Sequence, residues 1–166
     1  NNLESYFIPG RIEVLGKHTD YAGGNSLLAT TACGIVAVAA VNNTGAIRVI
    51  STDPGFRPAA FTFTAELDIP IGAWTNYPMT VAKRIAKNFR AVTNLRGVDI
   101  AYASDLPTAS GMSSSSALII VSFFAIAGPN KISETDLYQQ NIKTVEDLAM
   151  YLACIENGQT FRNLPG

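Results

Sequence analysis

Residues 9–24 gather Arg11, Lys17, His18, Asp20 and Tyr21, side chains able to contact phosphate or hydroxyl groups, among Gly10, Gly16, Gly23 and Gly24. Glycines there permit tight turns and a close approach of the backbone to a ligand. His18 is the only histidine of the chain. Taken singly, an Arg, His or Asp beside a turn fits a structural hydrogen bond, and Tyr21 fits plain packing with its hydroxyl at the surface. Crowded into one short stretch, they point instead to recognition of a small molecule rich in hydroxyl or phosphate groups.

A second cluster runs over residues 107–117, where Gly111 and Met112 precede Ser113, Ser114, Ser115 and Ser116. A helix that starts just after a glycine offers unpaired N–H groups and the positive end of its dipole, which suit a polyphosphate. Serine hydroxyls add donors and candidate magnesium ligands. The plainer alternative is a serine cap. Nothing matches the Gly-x-x-x-x-Gly-Lys-Ser/Thr loop, so such a cradle would belong to another class of phosphate binder. Further on, Glu156 follows Leu152 and Ala149 at helical spacing and falls at the edge of an apolar stripe. A carboxylate there needs a partner, either a basic side chain or a magnesium ion shared with a nucleotide.

The elements that position these groups are legible as periodicities. Loose alternation over 7–15 predicts a strand running into the Gly16 turn. The apolar runs 35–41 and 47–51, separated by Asn42, Asn43, Thr44 and Gly45, predict two paired strands with a hairpin connection. A strand is expected over 61–64. Ala82, Ile85, Ala86 and Phe89 predict an amphipathic helix within 78–92, with Lys83, Arg84, Lys87 and Arg90 on a solvated face. A strand through Val98, Ile100 and Tyr102 leads to the serine loop and an apolar helix that stops before Gly128 and Pro129. Two helices are expected after it. Ser133 with Asp136 resembles a capping box, and Val145, Leu148, Ala149, Leu152 and Ile155 form the stripe of the last helix.

The chain has 166 residues, 48% of them hydrophobic, which suits one globular domain with a full core. Twelve basic and 13 acidic residues give a formal charge of -1, so no electrostatic footprint for nucleic acid or an anionic membrane exists, and small-molecule partners are favoured. Cys33 and Cys154 lie in apolar surroundings without metal-ligand spacing, and are expected as buried thiols in a reducing, cytoplasmic setting. No apolar run approaches the ~20 residues of a membrane span.

Residues 10–24 resemble the galactokinase segment Gly-Arg-x-Asn-x-x-Gly-Glu-His-x-Asp-Tyr-x-Gly-Gly. Residues 107–117 are similar to Pro-x-x-x-Gly-Leu-Ser-Ser-Ser-Ala-Ala, the second motif of the galactokinase, homoserine kinase, mevalonate kinase and phosphomevalonate kinase (GHMP) superfamily. Residues 153–157 look like the family's Ala-x-x-Glu-His. The resemblance extends over about 8–157. It implies an α/β fold of two layers like domain 2 of ribosomal protein S5, with a left-handed β-α-β crossover. It also implies that residues 1–166 are an incomplete amino-terminal, ATP- and sugar-binding domain. A Gly-rich third motif with its Asp, and a carboxy-terminal domain, are expected beyond residue 166.

By the same resemblance, the γ-phosphoryl group of ATP passes to a monosaccharide hydroxyl, the anomeric one in the galactokinase branch, and an isolated fragment is expected to be inactive. Arg11 would be catalytic; Lys17, His18, Asp20 and Tyr21 would bind the sugar; Gly111, Met112, Ser113, Ser114, Ser115 and Ser116 would bind ATP. Mg2+ would be held by Glu156 with Ser114 or Ser115. A non-catalytic sugar- and ATP-binding regulator is the alternative, and association through a surface exposed by the absent domain is a further expectation. An RNA-binding role like that of ribosomal protein S5 is disfavoured by the charge.

Four departures qualify the match: Glu13 replaces the motif's Asn, Lys17 its sugar-contacting Glu, Met112 a Leu and Ser116 an Ala. At about 4 Å and an effective dielectric of ~20 a unit charge pair is worth roughly 4 kcal/mol, so the Lys17 reversal bears on substrate choice. It implies either an acidic sugar, such as a uronic acid, or a Lys17–Glu13 salt bridge.

Overall fold

The computed structural model describes residues 3–16, 23–107 and 111–166. Strands β1 (Glu4–Leu15), β2 (Leu27–Val41), β3 (Ala46–Ser51), β4 (Ala59–Thr62) and β5 (Val98–Ser104) form one mixed sheet in the order β1-β2-β5-β3-β4. Only the β3/β5 pair is parallel. Alternation decides the two faces: Ile35, Ala37 and Ala39 of β2, Val98, Ile100 and Tyr102 of β5 and Ile47 and Val49 of β3 are buried on one side. Phe7, Val36, Val38 and Ile50 are exposed, and the strand register groups them on the other side.

Helices α1 (Asn76–Phe89), α2 (Ser114–Ala127), α3 (Asp136–Asn141) and α4 (Val145–Glu156) complete the fold. α2 is apolar nearly all round because it is the central helix, packed on β1, β2 and α1. Tyr151 of α4 lies between Phe89 of α1, at 6.5 Å between ring centroids, and Phe123 of α2, at 5.9 Å. Such edge-to-face contacts add directional attraction to area burial. No helix among the described residues is long and apolar enough to cross a membrane.

Several local expectations are corrected. The runs 35–41 and 47–51 do form β2 and β3, but they do not pair, because β5 inserts between them. Its alternating Val98, Ile100 and Tyr102 are buried, as suits a central strand. The turn that looked like a hairpin instead ties to β5: Asn42 N–H donates to the Gly97 carbonyl at 2.9 Å and Asn42 Nδ2 to Asp99 Oδ1 at 2.6 Å. Thr135, not Ser133, caps α3, its hydroxyl accepting from Tyr138 N–H at 3.3 Å. Ser133 belongs to a short 3-10 turn, Ile132–Glu134.

The stripe of α4 is rotated toward Tyr151, Leu152 and Ile155, which leaves Val145 78% exposed and Ala149 at the surface. Cys33 and Cys154 are partly exposed free thiols, not buried ones. Cys33 precedes Ile35, where β5 begins to cover β2, and Cys154 Sγ approaches the Thr160 carbonyl at 3.8 Å.

The basic face of α1 also departs from expectation. Arg84 is only 5% exposed. Lys83 donates to the Leu67 carbonyl at 3.0 Å and Arg90 to that of Phe63 at 2.9 Å, while Lys87 reaches the Gly166 carbonyl. Flanking loops present backbone acceptors to this face, so its cations hold chain segments in place rather than facing only water.

Candidate functional site

At Gly10 the β1/β2 register shifts, between Pro9 and Arg11, and the next N–H turns toward the serine loop. Arg11 N–H donates to the Met112 carbonyl at 3.1 Å, so the two motifs meet through the main chain. Gly10 is buried there, and a Cβ would fall 2.6 Å from Leu106 Cδ2, 2.8 Å from Thr31 Oγ1 and 3.3 Å from the Met112 carbonyl oxygen. Close approach therefore demands glycine. Gly10→Ala is expected to displace the Leu106 and Thr31 side chains and crowd the Met112 carbonyl, at a cost of about 1–3 kcal/mol. A urea-unfolding midpoint equal to that of the parent would show the junction to be slack. The Arg11 side chain is exposed, and no salt bridge joins it to another described residue.

The serine loop enters α2 through two left-handed residues, Gly111 with φ 71° and Ser113 with φ 55°. Glycine adopts this conformation freely, whereas a serine in it is strained. Ser113 precedes the helix, yet its side chain makes no capping hydrogen bond. The first-turn N–H groups of α2 therefore lack the Ser113 side-chain partner that the simple cap reading requires. A negatively charged group would satisfy them and complement the helix dipole.

Beside the loop lies a cleft of about 260 Å³ lined by Phe56, Trp74, Tyr77, Tyr102, Ser114 and Ser115. Trp74 meets Tyr102 edge-on at 5.8 Å and Phe56 at 6.0 Å, and its Nε1 donates to the Arg57 carbonyl at 2.9 Å. Tyr102 Oη shares a buried 2.9 Å hydrogen bond with Ser122 Oγ, and burial pushes its pKa well above the usual phenolic range. The result is a fixed aromatic wall that runs directly into the start of α2. It suits a flat heteroaromatic ring with a charged tail. A larger depression of about 730 Å³ beside Arg90 and Asn94 is shallow and includes no residue of either motif, so the smaller cleft is the better candidate site.

Glu156, the last residue of α4, is exposed, and Ser116 Oγ lies 3.1 Å from its Oε1 and 3.0 Å from its Oε2. Of the two partners the sequence allowed, a basic side chain does not pair with Glu156 among the described residues. A carboxylate and serine hydroxyls form a hard oxygen donor set, which fits Mg2+ held by one protein carboxylate together with phosphate oxygens. Among the described residues no cluster of three acidic, histidine or cysteine ligands offers an alternative cage.

The structure thus brings Arg11, Met112, Ser114, Ser115, Ser116 and Glu156 to one end of the sheet and α2. Lys17, His18, Asp20 and Tyr21, the expected sugar ligands, lie outside the described residues, as does the expected Lys17–Glu13 pairing. Glu13 itself is an exposed residue of β1 opposite Leu28. Sequence reasoning missed the aromatic cleft. One signal was available: Trp74, the chain's single tryptophan, stands in a non-repetitive segment between Gly72 and Pro78.

A mixed sheet with a glycine-serine loop at the start of a central helix defines an α/β domain whose loop lacks the Gly-x-x-x-x-Gly-Lys-Ser/Thr pattern. Residues 76–158 match the GHMP kinases N terminal domain and residues 5–41 the galactokinase galactose-binding signature. The chain belongs to the GHMP kinase family. Relatives include the galactokinase of Candida maltosa, 29% identical over 90% of this chain and 71% of that protein. That of Bacillus subtilis (strain 168) is 33% identical over 70% of this chain and 30% of the relative. The crystal structure of Lactococcus lactis galactokinase complexed with galactose superposes with a TM-score of 0.73 at 25% identity, covering 93% of this chain and 37% of that one. Methanococcus jannaschii mevalonate kinase shares the fold, with a TM-score of 0.71 at 14% identity over 95% of this chain and 48% of that one. The chain spans about a third of the length of several galactokinases that it matches.

Proposed function

We propose that this chain is the amino-terminal part of an ATP-dependent sugar kinase that transfers the γ-phosphoryl group to a monosaccharide hydroxyl, the anomeric one. The observation that carries this reading is the Arg11–Met112 hydrogen bond at 3.1 Å, which joins the two motifs. The match of residues 5–41 to a galactose-binding signature supports a hexose as acceptor.

In this reading the base of ATP lies against Trp74 in the aromatic cleft, and its phosphates meet the N–H groups and hydroxyls that begin α2. Glu156, with the hydroxyl of Ser114 or Ser115, would hold Mg2+, which when bound neutralises charge on phosphate oxygens. Arg11 stands between the acceptor hydroxyl and the γ-phosphate. Its guanidinium favours ionisation of the hydroxyl and stabilises negative charge in the transition state. Asp20 accepts hydrogen bonds from sugar hydroxyls, His18 and Tyr21 shape the pocket around them, and Lys17 favours an acidic sugar at the position where the motif's Glu faces a neutral one.

Assay of the full-length protein with ATP, Mg2+ and either galactose or galacturonate tests both parts. Transfer to galacturonate at a rate equal to or above that with galactose is the expected result. A strong preference for galactose removes the role given to Lys17 but keeps the kinase. Binding of sugar and ATP with no transfer to any monosaccharide would replace the kinase by a regulatory binding protein.

A further inference from the structure

The Ser116–Glu156 contact joins the first turn of α2 to the last residue of α4. A carboxylate at a helix C-terminus faces the negative end of the dipole and is disfavoured there. No basic residue occurs in the last turn of α4 to offset it, and no salt bridge to Glu156 exists among the described residues. Among the described residues its hydrogen-bond partner is one hydroxyl, placed almost equally from both carboxylate oxygens. That hydroxyl exists only because Ser116 stands where the resembling motif has alanine.

We infer that Ser116 is a positioning residue for Glu156, holding the carboxylate in place at the start of α2 so that it presents preset oxygen donors to a nucleotide-bound divalent cation. This rests on the reading of Glu156 as a metal ligand given above. A carboxylate has about four lone-pair sites, and one shared hydroxyl hydrogen leaves most of them open. The contact therefore orients the acid without consuming it. Partners that orient metal ligands in this way commonly account for ten- to a hundredfold in metal affinity.

Calorimetric titration of the full-length chain with the non-hydrolysable analogue AMPPNP, with and without Mg2+, tests the inference. Ser116→Ala is expected to weaken binding of Mg2+·AMPPNP about tenfold. Metal-free AMPPNP should lose less affinity than the Mg2+ complex, which separates the positioning role from a direct phosphate contact. Ser116→Thr, which keeps the hydroxyl, should restore affinity, and Glu156→Gln should abolish the difference between the two forms of the nucleotide. If Ser116→Ala binds Mg2+·AMPPNP as tightly as the parent or more so while Glu156→Gln is impaired, the positioning role is wrong and the metal reading stands. If Glu156→Gln also keeps its full Mg2+ dependence, the metal reading fails and the inference fails with it. Equal weakening of both nucleotide forms by Ser116→Ala would assign Ser116 to the nucleotide directly and overturn the positioning role.

Discussion

Arg11→Ala is expected to lower the turnover of the full-length protein about 10³-fold, with ATP affinity changed less than about fivefold. The asymmetry follows from where Arg11 sits. Its N–H is engaged by the Met112 carbonyl at 3.1 Å, a contact that alanine keeps, so the substitution removes the guanidinium and spares the junction. On the proposed reading the nucleotide keeps its other contacts, the aromatic cleft and the start of α2. What would disappear on that reading is a cation matched to charge that develops only in the transition state, and groups in that role contribute about 10³–10⁵ in rate in other phosphoryl-transfer enzymes. Arg11→Lys should recover part of the rate, since a point charge replaces a fork of donors. Steady-state kinetics alongside nucleotide titration decide the matter. A loss of less than tenfold in turnover, or an equal loss in ATP affinity, would remove Arg11 from the catalytic role.

The second large effect concerns stability. Arg84→Met should destabilise the domain by about 3 kcal/mol or more, because charge-assisted hydrogen bonds contribute about 1.5–3 kcal/mol each and two are lost at a residue only 5% exposed. Arg84 Nε donates to Asn88 Oδ1 at 3.0 Å and Nη2 to the Gln159 carbonyl at 2.6 Å, and its guanidinium lies 5.5 Å from the centre of the Tyr151 ring. Asn88 extends the network, donating to the Pro165 carbonyl at 2.9 Å and accepting from Tyr151 Oη at 2.8 Å. This cluster secures residues 159–165 to α1. Burial also raises the Tyr151 pKa well above the usual phenolic range, against the lowering effect of Arg84, so the ring stays a neutral hydrogen-bond donor.

In a domain of this size about 3 kcal/mol corresponds to roughly 6–12 °C in the unfolding midpoint. Lys87→Met is the control, since Lys87 touches the same segment through the Gly166 carbonyl but is exposed, and should cost less than about 0.5 kcal/mol. If the two variants melt within a degree of each other, Arg84 is not the clamp.

How much of this was legible beforehand depends on the range of the interaction that encodes it. The bounds of α2 follow from neighbours in the chain, a glycine and serines before it and Gly128-Pro129 after it, and the structure places α2 between them. The apolar runs that became β2 and β3 left their inward face undecided, whereas the buried face of β5 follows from the alternation of Val98, Ile100 and Tyr102 in the same way. The placement of β5 between β2 and β3 does not, because alternation states which side of a strand is apolar and nothing about which strand lies beside it. The Asn42–Gly45 turn suggested adjacency, and the burial gained by a central β5 outweighed it.

The candidate site divides along the same line. The sequence by itself determined the chemical inventory, namely Arg11, the serine run and Glu156, and the two motifs identified the family, because such spacings are local and rare. Tertiary structure alone decided that Ser116 faces Glu156 across 40 positions, that Trp74 walls a cleft with Phe56 and Tyr102, and that Arg84 is buried among backbone carbonyls instead of solvated. Each of these pairings joins segments whose separation in the chain carries no local signature. Only the closure of the core around α2 brings them within hydrogen-bonding or ring-contact distance.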